Sequence, residues 1–206
     1  MSHRIYTTLG FVVQSLPYGE AGKMLSLFTR ELGMVNVAAA GIRLGQSKLR
    51  YHVQDFSLSE FSLVRGRDLW RLVGAEKSDM STCHRDPLLI RTLAVLRRLI
   101  HGEEKNEALF EAVMAAYDFL EIRRTEKNEK AEEAKKAEEA VFVTHAEPVI
   151  MLRILRYLGY IRKKPELEVF LADNSFATEL LEKMSVPTVK SLAVREINRA
   201  LEESHL

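Results

Sequence analysis

The chain is organised around Gly41-Ile42-Arg43-Leu44-Gly45-Gln46-Ser47-Lys48-Leu49-Arg50. It carries three cations (Arg43, Lys48, Arg50), no acid, two glycines and two small polar donors, Gln46 and Ser47. Such a loop on a rigid sheet can follow a phosphate backbone: cations neutralise charge, and glycines let amide N–H groups approach oxygens. Taken alone, the simpler reading is a solvated loop, because Lys and Arg are surface residues in most proteins. The flanking sequence decides what the loop is mounted on.

Before the loop, Ile5, Leu9, Phe11 and Val13 share one parity, with Thr8, Gly10 and Gln14 on the other. That period of two predicts a strand with one buried face. Leu16-Pro17-Tyr18-Gly19 is turn chemistry. Lys23 to Arg30 suits either a short helix or a buried strand, and Leu32-Gly33 breaks the chain. Val35, Val37 and Ala39 alternate again and lead into the loop. After it, Tyr51 and Val53 keep one phase, Phe56 and Leu58 the other, and Phe61 and Leu63 return to the first. A strand whose parity slips twice must bulge or coil, as in a small closed sheet. Arg65-Gly66-Arg67-Asp68 turns the chain, and Leu69 to Ala75 makes a last strand. Five short strands with turn signals predict a small barrel over residues 1–78; periodicity allows an OB-fold or an SH3-like barrel.

From residue 79 to residue 206 the period is helical, which predicts an α+β chain with a barrel followed by an all-α domain. Asp86 caps a helix beginning at Pro87, with Leu89, Leu93, Leu96 and Ile100 as its buried stripe and Gly102 as its end. Asn106 caps the next, with Phe110, Val113, Tyr117 and Leu120 along one face. Residues 126–140 hold no large apolar side chain and read as an exposed charged helix or a linker. In Thr144 to Gly159 the apolar pattern resumes, with Pro148 near the first turn. Two closing helices hold Phe176, Leu180, Leu181 and Met184, and, with a cap at Thr188, Val194, Ile197 and Leu201.

Composition narrows the chemistry. The 206 residues are 47% hydrophobic and 29% charged, with one cysteine, so no intrachain disulfide forms and a reducing cytoplasm is expected. No apolar run approaches the ~20 residues of a membrane span, and Leu9 to Val13 is too short for a signal peptide. Residues 1–75 hold nine Lys/Arg against five Asp/Glu, whereas the remainder has an acidic surplus. The N-terminal part is therefore the better polyanion binder. Nucleotide-binding glycine motifs and a nucleophile elbow are absent. Cys83-His84 is a lone soft-ligand pair and reads as structural, and carboxylates lie in exposed helical patterns instead of pairing. Neither a metal site nor an enzyme is expected. Binding is what remains. Lys23, Arg30, Arg43, Lys48, Arg50, Arg65, Arg67 and Arg71 surround the barrel, with Tyr51 and Trp70 interleaved. Cations among aromatics suit single strands, since rings stack on any base; Trp70, between Leu69 and Leu72, reads as core before it reads as an exposed ring. An adaptor with an OB-like barrel, or an RNA-binding module, are the competing readings.

Tyr6 to Arg50 resembles the opening of RecO, the bacterial recombination mediator and strand-annealing family. The motifs are Gly10-Phe11-Val12, Tyr18-Gly19-Glu20, Leu27-Phe28-Thr29, Gly41-Ile42-Arg43 and Ser47-Lys48-Leu49-Arg50, in the family's order and spacing. The likeness continues through Phe56 to Leu63, Val64-Arg65-Gly66-Arg67 and Leu69-Trp70-Arg71-Leu72 to Ala75-Glu76, and more sparsely at Leu109-Phe110 and Leu155 to Tyr160. It implies an OB-fold that binds single- and double-stranded DNA, with Arg43, Lys48 and Arg50 at the basic positions. It further implies annealing of complementary strands, RecR as partner, and contact with the C-terminal tail of the single-strand DNA-binding protein (SSB). Together these load the recombinase RecA. Leu152, Arg153, Leu155 and Arg156 are the candidates for tail capture. Many members carry a four-cysteine zinc module after the Leu-Gly-Tyr segment; Gly159 to Ser185 has no cysteine here, so no zinc is expected.

Overall fold

The computed structural model describes residues 4–77, 86–127 and 132–204, so Cys83-His84 lies outside the described residues. Two compact units divide the chain, Met1–Phe110 and Glu111–Leu206. The first therefore takes in more than the strands.

Its strands are β1 (Ile5–Tyr18), β2 (Gly22–Thr29), β3 (Gly33–Ala39), β4 (Leu58–Arg65) and β5 (Trp70–Lys77). They form a closed barrel in the order β1-β2-β3-β5-β4. Every pairing is antiparallel except β3 with β5, which is parallel and rests on Val37↔Trp70 and Ala38↔Arg71. This closure is that of an OB-type barrel, and it settles the choice that periodicity leaves open. β1 is long because it serves two neighbours: Ile5 to Phe11 pairs with β4, and Gly10 to Tyr18 pairs with β2. Leu16 to Tyr18 is thus strand, and the turn falls after it. Pro17 is accommodated because β1 has a single strand partner there.

Bulges sit at Val13 in β1 and Val73 in β5, not between Tyr51 and Leu63. The phase slip in that segment has another origin. A 3-10 turn, Lys48–Tyr51, and a tight reversal with Phe56 at φ 66° precede β4.

Val12, Leu25, Leu27, Val35, Val37, Phe61, Leu63 and Trp70 fill the barrel. The inward parity of β1 is therefore that of Thr8 and Val12, opposite to the one its apolar alternation predicts. Phe11 points outward and is nevertheless wholly buried, because helical residues cover that side. Helix α1 (Pro87–Leu99) lies against β1. Phe110, at the start of α2 (Glu107–Lys127), meets Phe11 and Phe28 at ring-centroid distances of 6.0 and 5.4 Å. The predicted caps form. Asp86 Oδ1 accepts from the Leu88 and Leu89 amides at 2.8 and 3.3 Å, and Asn106 Oδ1 accepts from Leu109 at 3.0 Å. Gly33 has φ +69°, and a Cβ there would lie 2.2 Å from the Glu104 carbonyl oxygen, so glycine is required where the β2–β3 turn meets the α1–α2 connection.

In the second unit α3 (Glu132–Tyr157) is central, touching α4 (Pro165–Leu171), α5 (Thr178–Ser185) and α6 (Pro187–Glu203). It begins within the charged stretch 126–140, and Pro148 is interior to it instead of in its first turn. Val149 to Leu155 is buried without interruption, as expected of a helix covered on all sides. A Schellman closure ends it: Gly159, at φ 84°, donates to Arg156 and Tyr160 donates to Leu155, at 2.9 and 2.8 Å. Pro187 starts α6 earlier than a Thr188 cap would, so Ala193, Ile197 and Ala200 face inward and Val194 is exposed. Leu167, Phe170, Leu180, Leu181 and Met184 are buried and pack the segment that follows Gly159.

Glu196, 4% exposed, joins Lys164 and Arg199, and Arg199 also donates to the Tyr160 carbonyl at 3.1 Å. Burial pushes the Glu196 carboxyl up, but its two cationic partners outweigh that and hold it below its ordinary value of 4.5. A depressed carboxylate stabilises the fold above the unfolded-state pKa and loses that contribution as pH falls through the folded one. Glu196→Gln should therefore destabilise the chain at neutral pH and flatten the acid limb of a stability–pH curve below about 4.5. An acid limb identical to that of the parent protein would remove this pair from the explanation. Separately, Phe110→Ala should cost about 3–5 kcal/mol in urea unfolding of the barrel unit; a loss below ~1 kcal/mol would mean that the helical cover is dispensable.

Candidate nucleic-acid interface

The basic loop is held to the barrel by its apolar residues. Ile42 and Val53 are buried in the barrel core and Leu49 packs against it, while Arg43, Lys48 and Arg50 stand in solvent. Gly41 takes φ +67° to turn the chain out of β3. The Arg43 amide then donates to the Ala21 carbonyl at 2.9 Å, and its guanidinium reaches the Glu20 carbonyl at 3.5 Å. This docks the start of the loop on the tip of the β1–β2 hairpin. Leu44 donates to Gly41 and Ser47 to Leu44, two further reversals that keep the loop compact. Arg50 lies over the Tyr51 ring, 4.6 Å from its centroid, and donates to its hydroxyl. Tyr51 is 57% exposed, so this pair offers a cation and a ring together.

The other expected contacts separate into two groups. Arg67 and Arg71 are exposed, and Lys23 is half-buried with its amine donating to Ser15 Oγ at 3.1 Å. Arg65 is engaged structurally: it pairs with Glu103 and lies over Trp70 at 4.9 Å. Arg30 sits at the far end of β2, with its guanidinium 5.4 Å from the Phe110 ring centre. It belongs with the helical cover instead of the loop. Trp70 is 5% exposed, edge-on to Tyr6 at 5.2 Å, and plugs the barrel beside the β3–β5 closure. Its ring is closed to base stacking in this structure. Burial on the inward parity of β5 is the reason.

Strand register places a different set of side chains on the outer surface. Leu16↔Met24↔Ala38↔Arg71 run across β1, β2, β3 and β5 as one row. Beside it lie Gln14, Ser26 and Asn36, with Ser26 Oγ donating to Asn36 Oδ1 at 3.0 Å. Apart from Arg71 this face is uncharged. Leu16 and Tyr18 are 51% and 49% exposed at its edge. Reading Leu16-Pro17-Tyr18 as a turn hides them; the signal that finds them is the alternation resuming beyond the Val13 bulge.

The expected tail-capture residues do not form a surface. Leu152 and Leu155 are wholly buried and Arg153 is 2% exposed; of the four only Arg156 is open to solvent. Arg153 instead donates to the carbonyls of Phe170 and Ser175 at 2.9 and 2.7 Å and lies over the Phe176 ring at 4.6 Å. Burial pulls its guanidinium down to about 10, which leaves it charged at neutral pH. Among the described residues, no three His, Cys, Asp or Glu side chains gather as metal ligands, and no helix is long and apolar enough to cross a membrane.

Residues 1–80 match the family described as "Recombination protein O N terminal". Curated proteins show the same relationship. DNA repair protein RecO of Alkaliphilus metalliredigens is 40% identical over 73 residues, covering 35% of this chain and 30% of its own length. RecO of Rubrobacter xylanophilus is 38% identical over 72 residues, covering 35% and 29%. RecO of Dehalococcoides mccartyi is 29% identical over 121 residues, covering 56% and 48%. The match thus spans less than half the length of each of these relatives.

Because Trp70 is the single tryptophan, its fluorescence reports on this barrel alone. Its emission should be blue-shifted and shielded from acrylamide, and adding oligonucleotide should not expose it. Quenching as efficient as that of free tryptophan would contradict the plugged barrel.

Proposed function

We propose that this protein, whose residues 1–80 match the recombination protein O N-terminal family, is a non-enzymatic DNA-binding mediator of recombinational repair. It binds single- and double-stranded DNA through the loop 41–50, anneals complementary strands and, with RecR, helps load RecA onto SSB-coated DNA. The observation that carries this reading is the loop itself: three exposed cations, no acid, and a buried apolar anchor at Ile42 that fixes them on the barrel. Arg67 and Arg71 extend the charge onto β5 and the turn before it.

Annealing needs no catalytic residue. Cations hold two strands close by lowering phosphate repulsion, and contacts without base identity let register be searched. The SSB tail, an acidic peptide in this reading, meets the helical part of the chain, where Arg156 is the exposed member of the expected set. Zinc takes no part, and the site of action is the bacterial cytoplasm, on the nucleoid.

The test is fluorescence anisotropy of labelled oligo-dT at two salt concentrations. Occupying four or five phosphates should weaken binding roughly a hundredfold between 50 and 200 mM salt. Arg43→Ala combined with Lys48→Ala should lower affinity and reduce the salt slope by about 1.4 on a single strand. An unchanged slope rejects the loop as the site. Absence of binding at low salt instead supports a protein–protein adaptor.

A further inference from the structure

Outward positions of a barrel strand are ordinarily polar unless something covers them. One part of this barrel obeys the exception: Phe11 and Phe28 face outward and are covered by Phe110. Leu16 and Tyr18 also face outward, yet remain about half exposed. They are not scattered. Register sets Leu16 beside Met24, which continues into Ala38 and Arg71.

Tyr18 is the informative residue. Its cross-strand partner is Gly22. A Cβ at Gly22 would lie 2.6 Å from the Tyr18 carbonyl oxygen, so that position cannot carry a side chain without moving the hairpin. The same restriction leaves Tyr18 with no opposing side chain to cover its ring. Lys23 is the next residue on the partner strand, but its amine is turned to Ser15 Oγ; the exposed cation docked on the hairpin tip is Arg43, whose amide and guanidinium bond to the carbonyls of Ala21 and Glu20. An open ring is therefore joined to an exposed cation through one tight turn, whose single acid is Glu20.

We infer that Tyr18, with Leu16 and Met24, is a platform for the unstacked bases of a single strand, while the loop cations take the phosphates. The inference rests on the DNA-binding reading above and divides its work between two surfaces. The charge pattern favours nucleic acid over an apolar peptide as the occupant, because the neutral face is bordered by Arg43 and Arg71, against the single exposed acid Glu20 in the adjoining turn. Duplex bases are already stacked and paired, so a duplex engages the cations alone. Strand selectivity then comes from the ring, and affinity for either form from the loop.

The experiment compares the full chain with Tyr18→Ala and Tyr18→Phe on oligo-dT, on a duplex of equal length, and on an oligonucleotide containing 2-aminopurine. Tyr18→Ala should lower single-strand affinity about tenfold, leave duplex affinity and the salt slope unchanged, and abolish the change in 2-aminopurine fluorescence. Tyr18→Phe should retain all three, and both variants should keep the parent's thermal midpoint, since Tyr18 is at the surface. If Tyr18→Ala binds single strands like the parent, or weakens both forms alike, the platform is overturned while the loop assignment stands. If the parent protein binds neither form at low salt, the DNA-binding reading itself fails and the inference falls with it; the face then belongs to a protein partner.

Discussion

Closure of the barrel depends on a parallel contact only two residue pairs long. Val37 against Trp70 and Ala38 against Arg71 join β3 to β5, and without them the five strands would be an open meander with free edges. Two opposed requirements meet there. Trp70 must point inward to fill the barrel, where Tyr6 meets it edge-on and Arg65 covers it from the end. Arg71, the next residue, must then point outward. The strand pleat thus converts one packing demand into the placement of one surface cation.

The same alternation distributes the rest of the outer surface. Phe11 and Phe28 lie outward where α1 and Phe110 cover the barrel, and Leu16, Met24 and Tyr18 lie outward where nothing among the described residues of the unit does. A small barrel cannot bury enough apolar area with its inner face alone. Recruiting a helix to one side supplements that area and leaves the other side available. The basic loop is positioned by a comparable division, with Ile42, Leu49 and Val53 spent on anchoring and Arg43, Lys48 and Arg50 left in water.

Within the helical unit, charged side chains act as internal fasteners. Arg153 emerges from the most buried turn of α3 and ties the ends of the 170–175 segment through two carbonyls. Glu196 draws Lys164 onto α6 and pairs with Arg199 one turn along the same helix, and Arg199 fixes the Tyr160 carbonyl just after the α3 terminus. Loss of both cations would leave the buried Glu196 charge uncompensated, which is more costly than never having placed it there. These contacts organise residues 160–175 without a cysteine in the segment.

Much of this was legible in the residues alone, for reasons that are local. Strand period, turn glycines, the Asp86 and Asn106 caps and the Gly159 stop depend on neighbours a few positions away. The basic loop is equally visible as a run of cations and glycines between two apolar runs, but its anchoring through Ile42 is not. What tertiary structure decided is which face of each element is covered. Phe11 and Val12 are both apolar, and only the helix packed outside tells that both are buried. Val149 to Leu155 reads as one amphipathic turn with surface arginines until three helices surround it, and Arg153 then becomes an interior donor. Trp70 takes the core reading that Leu69 and Leu72 suggest, whereas Tyr18 leaves the turn for an exposed strand position, since burial is set by strand register across the barrel, and register is a relation between residues far apart in the chain.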